Sequence, residues 1–230
     1  MKFDMWTEEE AKLKCEALWD DDLVLFPSKE NYAFQEFLED FRGRQEYIKR
    51  FGFMLLNAEF VEELSKEFKQ RGIENFIETG SGYGTFTKVL NDSGFSGKGY
   101  TLELFTDGAS ADASEAEKSQ WGLNPNPIYT NGVNNGQVVL KDLKEITGDP
   151  ETDLIVSSWV PLYDGSEVEA YFDNNYYPEW YLVVGEGYGG CTGSDDYHDW
   201  LEKNYEEDHV FNSYKSFAAI YDHAILYRKK

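Results

Sequence analysis

The segment 73–90, IENFIETGSGYGTFTKVL, constrains this chain more than any other. An apolar, β-like run ends in the acid Glu78. Three alternating glycines follow, Gly80, Gly82 and Gly84, and an amphipathic helical pattern begins. A strand that turns this abruptly into a helix needs positive φ values and backbone free of Cβ atoms, and glycine supplies both. The helix that follows presents unpaired N–H groups and a partial positive charge toward the turn. The expected product is a backbone cradle for a ligand at the exit of a strand.

Spacing narrows the ligand. A dinucleotide fingerprint reads GxGxxG, and a P-loop reads GxxxxGK[ST]; neither is present. Here the glycines stand two apart, with an acid two residues before the first. That arrangement resembles the first motif of the class I S-adenosyl-L-methionine (SAM)-dependent methyltransferases, acid-x-Gly-x-Gly-x-Gly after strand one. The resemblance covers roughly residues 73–229. It implies S-adenosyl-L-methionine as cofactor and a Rossmann-like, mostly parallel seven-stranded α/β sheet with helices on both faces. It further implies that Gly80, Ser81, Gly82 and Gly84 approach the cofactor and that Glu78 faces its methionine end. Glu103, at the end of the next strand, would accept hydrogen bonds from the ribose. Asn131, in Tyr129-Thr130-Asn131-Gly132, matches the position that meets the adenine amine.

The rest of the chain supports that architecture. From residue 73 onward, β-like runs alternate with helical stretches, the signature of a parallel sheet with crossover helices. Strands are expected over 73–78, 99–103, 128–130, 153–158 and 180–186, with helices over 85–93, 137–146, 165–174 and 194–205. Two further strands, 210–214 and 223–227, would form a terminal hairpin. Residues 1–70 read as a helical extension or lid, and 71–230 as the cofactor domain. Within the extension, Gly43 is expected to break one helix. Phe53, Leu56, Phe60, Leu64 and Phe68 fall on one stripe of another, over 51–68, which Gly72 ends.

Substrates of open α/β sheets bind beyond the carboxyl ends of the strands. Two such ends carry candidates. After strand four comes Ser158-Trp159-Val160-Pro161-Leu162-Tyr163. Nucleic-acid amino-methyltransferases resemble [DNS]PP[YFW] at that place, with the aromatic against the base; here the residue types are similar but the spacing is broken. Trp159 and Tyr163 would instead wall a pocket for a smaller acceptor. After strand five comes a glycine-rich stretch with Glu186, a carboxylate able to orient an amine or act as general base if burial raises its pKa, and Cys191. Asp195, Asp196 and His198 read as ordinary residues of a helix start rather than as metal ligands.

Charge bears on the partner. With 44 acidic against 21 basic residues, the formal charge is −23. Phosphate neutralisation by Lys and Arg supplies most non-specific nucleic-acid affinity, so a free polyanion is a poor substrate for this surface. The sequence offers no apolar run of membrane-spanning length, and its start lacks the pattern of a signal peptide. A soluble, cytoplasmic methyltransferase acting on a small molecule or a protein side chain is expected. The alternative is a methyltransferase-like binding protein without turnover, whose acidic surface engages a basic partner or mimics nucleic acid.

Overall fold

The computed structural model describes residues 41–82, 84–101, 138–140, 152–160 and 178–230, together with Thr7, Glu9, Leu13, Leu38 and Glu39. Its elements in chain order are α1 (Phe41–Phe51), α2 (Ala58–Arg71), β1 (Asn75–Thr79), α3 (Thr85–Asp92), β2 (Ser96–Thr101), β3 (Val138–Leu140), β4 (Leu154–Ser158), β5 (Trp180–Gly185), α4 (Asp195–Asn204), β6 (Tyr205–Val210) and β7 (His223–Lys229).

The seven strands form one sheet in the order β3-β2-β1-β4-β5-β7-β6. β3, β2, β1, β4 and β5 run parallel, and β7 pairs antiparallel with both β5 and β6. The fold is Rossmann-like. Strand order reverses between β1 and β4, because the chain leaves β1 toward β2 on one side and returns to β4 on the other. Such a switch point opens a crevice beyond the strand ends. The register sets Thr79 opposite both Tyr100 of β2 and Ser157 of β4, so three strands leave the sheet at one edge.

Period-two alternation divides the core. Phe76, Leu154, Val156, Trp180, Leu182 and Val184 face one side, where they join Phe60, Leu64 and Phe68 of α2 and Phe86, Val89 and Leu90 of α3. Ile155 and Tyr181 face the other, against Tyr197, Trp200 and Leu201 of α4. Phe60, Leu64 and Phe68 recur one turn apart and are fully buried, each contributing about 2–3 kcal/mol of transfer free energy. Helix α2 therefore shares its core with the sheet. Its ends are set by chemistry the chain carries locally. Asn57 caps the start by accepting the Phe60 N–H at 2.6 Å, and Gly72 closes the end at φ +70°.

Several boundaries differ from those read in the sequence. Gly43 lies inside α1, where packing of the fully buried Tyr47 outweighs glycine's helix penalty of about 1 kcal/mol. The stripe expected over 51–68 is divided: Phe53 and Leu56 precede α2 in non-helical chain. The strand beside β2 is Val138–Leu140, paired through Gly99↔Val138 to Thr101↔Leu140, rather than part of a helix over 137–146. Its two β-branched residues suit a strand. The hairpin strand expected at 210–214 is Tyr205–Val210. Its sequence, YEEDHV, hides an edge strand behind charge, as exposed edges commonly do. The expected strand 128–130 and helix 165–174 lie outside the described residues.

Candidate functional site

The glycine turn stands at the switch point. Gly80, Gly82 and Gly84 all adopt the left-handed region, at φ +63°, +50° and +70°. A Cβ built at Gly80 or Gly82 would meet nothing within 4 Å among the described residues. Conformation, not crowding, therefore demands glycine there, and the space beside the backbone is open. Ser81 between them is fastened by its N–H, donated to the Tyr100 carbonyl at 2.9 Å, and by its carbonyl, which accepts the Gly84 N–H at 2.7 Å. The Ser81 hydroxyl is buried and finds no hydrogen-bond partner among the described residues. Ser81 comes so close to β2 that a Cβ at Gly99 would lie 2.6 Å from its Oγ. That glycine lets the turn nest against the sheet.

Glu78 has a task inside the protein. Gly84, as N-cap of α3, has no side chain to offer the helix start. The Glu78 carboxylate takes over: its Oε2 accepts both the Thr87 N–H, at 3.0 Å, and the Thr87 hydroxyl. The group is 3% exposed. Burial pushes its pKa up to about 7, although the two Thr87 bonds pull the other way. Desolvation outweighs hydrogen bonding here. The strand, turn and helix are thus clamped by one carboxylate that stands between protonated and ionised at neutral pH.

Beneath the exits of β1, β4 and β5 runs a chain of buried hydroxyls. Thr79 Oγ1 lies 2.7 Å from Ser157 Oγ, which lies 2.7 Å from the Tyr181 hydroxyl, and Tyr197 donates to Tyr181 at 3.5 Å. These contacts link the ends of β1 and β4 to Tyr181, near the start of β5.

Trp159 follows β4 with φ +52°, one of two described non-glycine residues in the left-handed region. Such a conformation costs about 1–2 kcal/mol. Its N–H is held by the Val184 carbonyl at 2.8 Å. Its ring stacks on Phe53 at 5.4 Å between centroids, and the Arg44 guanidinium lies 6.0 Å from its centroid. Phe53 is presented by a segment pinned to α1: the Tyr47 hydroxyl donates to the Met54 carbonyl at 2.9 Å and accepts the Leu56 N–H at 3.1 Å.

Glu186, beyond β5, is not a base with a raised pKa. Oε1 accepts the Tyr221 N–H at 3.0 Å and Oε2 the Cys191 N–H at 2.7 Å. The Tyr221 bond, followed by the one from Cys191, holds its carboxyl below the usual range. The side chain is a clasp between the glycine-rich turn and the loop before β7. Cys191 is exposed. Asp195 and Asp196 occupy the first turn of α4, and His198 Nε2 lies 3.0 Å from the Thr192 carbonyl. Glu103, Asn131 and Tyr163 lie outside the described residues. Since the strand beside β2 is Val138–Leu140, its carboxyl end follows Leu140 rather than Thr130.

The structure thus groups Glu78, Gly80, Ser81, Gly82 and Gly84 at one exit, with Trp159 and Glu186 at the next two. Sequence reasoning passed over Thr87, Arg44 and Asp222. Thr87 was open to detection as the third residue of a helix whose cap is glycine. Arg44 gives no such signal, since it follows Gly43, where the sequence pattern predicts a helix break.

No protein-family model matches the chain, and no curated protein does. Among solved structures, it is similar to magnesium protoporphyrin IX methyltransferase from Synechocystis with bound SAM, at 11% identity and a TM-score of 0.47 over 99% of both chains. It is also similar to a S-adenosylmethionine-dependent methyltransferase from Clostridium acetobutylicum, at 10% identity and a TM-score of 0.45, covering 74% of this chain and 91% of that one. A third is the N-methyltransferase NodS from Bradyrhizobium japonicum, at 14% identity and 0.44, covering 75% and 97%.

Proposed function

We propose that the glycine turn binds S-adenosyl-L-methionine and that the chain is a methyltransferase acting on a small molecule or a protein side chain. One observation carries this reading. At the sheet's switch point, three left-handed glycines form the turn ahead of the N-terminus of α3, and no described residue would contact a Cβ at Gly80 or Gly82. The Ser81 hydroxyl in the same turn, buried and without a partner among the described residues, is a polar group suited to a ligand.

In this reading the backbone of Gly80 to Gly82 and the first N–H groups of α3 meet the polar parts of the cofactor. Glu103 grips the ribose; Asn131 precedes β3 in the chain and loses the strand-end position on which its place at the adenine rested. Glu78 holds the turn in shape through Thr87. Bound there, the cofactor supplies a sulfonium-activated methyl group. The residues around it contribute alignment and exclusion of water, and proximity is worth more than acid–base help for such a transfer. Glu186, ionised and held by two backbone donors, positions the loops at the acceptor side.

Calorimetry with SAM and S-adenosylhomocysteine tests the reading. Binding in the micromolar range is expected, and Glu103→Ala should weaken it by about 1–3 kcal/mol, the penalty for leaving buried polar partners unsatisfied. Failure of the intact chain to bind either molecule would discard the cofactor and favour a binding protein without turnover.

A further inference from the structure

Arg44 is the anomaly of the acceptor side. In a chain with 44 acidic residues, it is half-buried on α1 and has neither a hydrogen bond nor an ion pair among the described residues. Its contacts are the face of Trp159, at 6.0 Å, and the longer-range fields of Asp222 and Glu186. Burial opposes its charge more than those fields support it. A guanidinium carries five donors in a planar fork suited to a carboxylate, and leaving it half-buried without one is unfavourable.

The neighbours have commitments elsewhere. Both oxygens of Glu186 are occupied by backbone N–H groups. Asp222 Oδ2 accepts the Tyr214 hydroxyl, while its Oδ1 is buried with no partner among the described residues. Trp159 Nε1 is buried and has no partner among the described residues either. Beside this donor set lies a flat apolar face, the stacked pair of Trp159 and Phe53, and Phe53 is 39% exposed. Trp159 directly follows β4, next to the strand whose exit bears the glycine turn.

We infer that Arg44, Trp159 and Phe53 form a seat for a carboxylate carried on a flat, apolar body. The guanidinium, and the indole N–H where the ligand reaches it, receive the anion, while Phe53 and the Trp159 ring cover the apolar part. This deepens the methyltransferase reading by naming an aromatic or similarly flat carboxylic acid as the acceptor class, and it rests on that reading for the word acceptor alone. The strongly negative surface would repel such an anion, so its capture depends on the Arg44 guanidinium.

The test uses the full chain with indole-3-acetate and 4-hydroxybenzoate as probes, each against its methyl ester, by calorimetry with and without S-adenosylhomocysteine. The acids are expected to bind at least about tenfold more tightly than the esters, the worth of a charge-assisted hydrogen bond. Arg44→Lys keeps the charge but loses the fork, and should weaken the acids about tenfold with S-adenosylhomocysteine affinity within about twofold of the parent. Phe53→Ala leaves the guanidinium alone and should weaken acids and esters alike; circular dichroism verifies that both variants fold. Equal binding of acid and ester, or acids indifferent to Arg44→Lys, would overturn the inference. So would a tenfold loss of S-adenosylhomocysteine affinity in Arg44→Lys, which would assign the guanidinium to the carboxylate of the cofactor itself. Arg44-dependent binding of acids by a chain that does not bind S-adenosylhomocysteine would uphold the seat and reject the methyltransferase reading.

Discussion

Glu78 reaches across the glycine turn to Thr87 and accepts its N–H at 3.0 Å, so the last turn of a strand caps the first turn of the next helix. The carboxylate is buried, and its pKa in the folded chain is about 7. Raised above its unfolded value, it contributes stability that is complete below the ordinary carboxylate range and is lost as pH rises through about 7. Glu78→Gln keeps the shape without the ionisation. Moving from pH 5.5 to 8, the parent should lose about 2 kcal/mol relative to Glu78→Gln. Urea unfolding at the two pH values measures the difference, and parallel behaviour of the two proteins would refute the assigned burial of charge.

Gly82→Ala separates conformation from contact. Its φ of +50° makes any side chain unfavourable, by about 1–2 kcal/mol, yet no described residue blocks the new methyl. The variant should fold with a modestly lowered Tm. Its affinity for S-adenosylhomocysteine should fall about tenfold or more, because the methyl occupies the space where backbone meets ligand. Retained affinity would mean that the turn is merely a turn.

Gly99→Ala fails for a different reason. The added carbon would lie 2.6 Å from Ser81 Oγ, 2.7 Å from Ser81 Cβ and 2.9 Å from Thr87 Oγ1. Overpacking of this kind costs about 1–3 kcal/mol. Since the crowded atoms belong to the glycine turn proposed to hold the cofactor and to the partner of Glu78, thermal stability and S-adenosylhomocysteine binding should drop together. A change in neither would show that β2 yields easily.

The Glu186 clasp is best read by hydrogen exchange. Glu186→Ala removes the acceptor of the Cys191 and Tyr221 amides. Both should lose protection, while amides of β5 such as Leu182 retain theirs, because the clasp lies beyond the strand. Unfolding free energy should fall by about 1 kcal/mol, since the carboxylate is partly solvated. General loss of protection across β5 would make Glu186 part of the core instead.

Sequence alone determined the features whose causes lie within a few residues. Alternating glycines after an acid dictated the left-handed turn because φ and a missing Cβ are local properties, and Gly72 ended α2 for the same reason. Period-two and helical patterns gave β1, β4, β5, α3 and α4 to within two residues. Where those patterns were weak, as for the charged β6, the short β3 and Gly43 within α1, pairing and packing with distant segments decided. Tertiary structure alone gave Glu78 its bond to Thr87, set Glu186 between Cys191 and Tyr221, and laid Arg44 over Trp159. Those roles depend on which groups share a desolvated space, and that is fixed only when strands remote in sequence meet at one edge of the sheet.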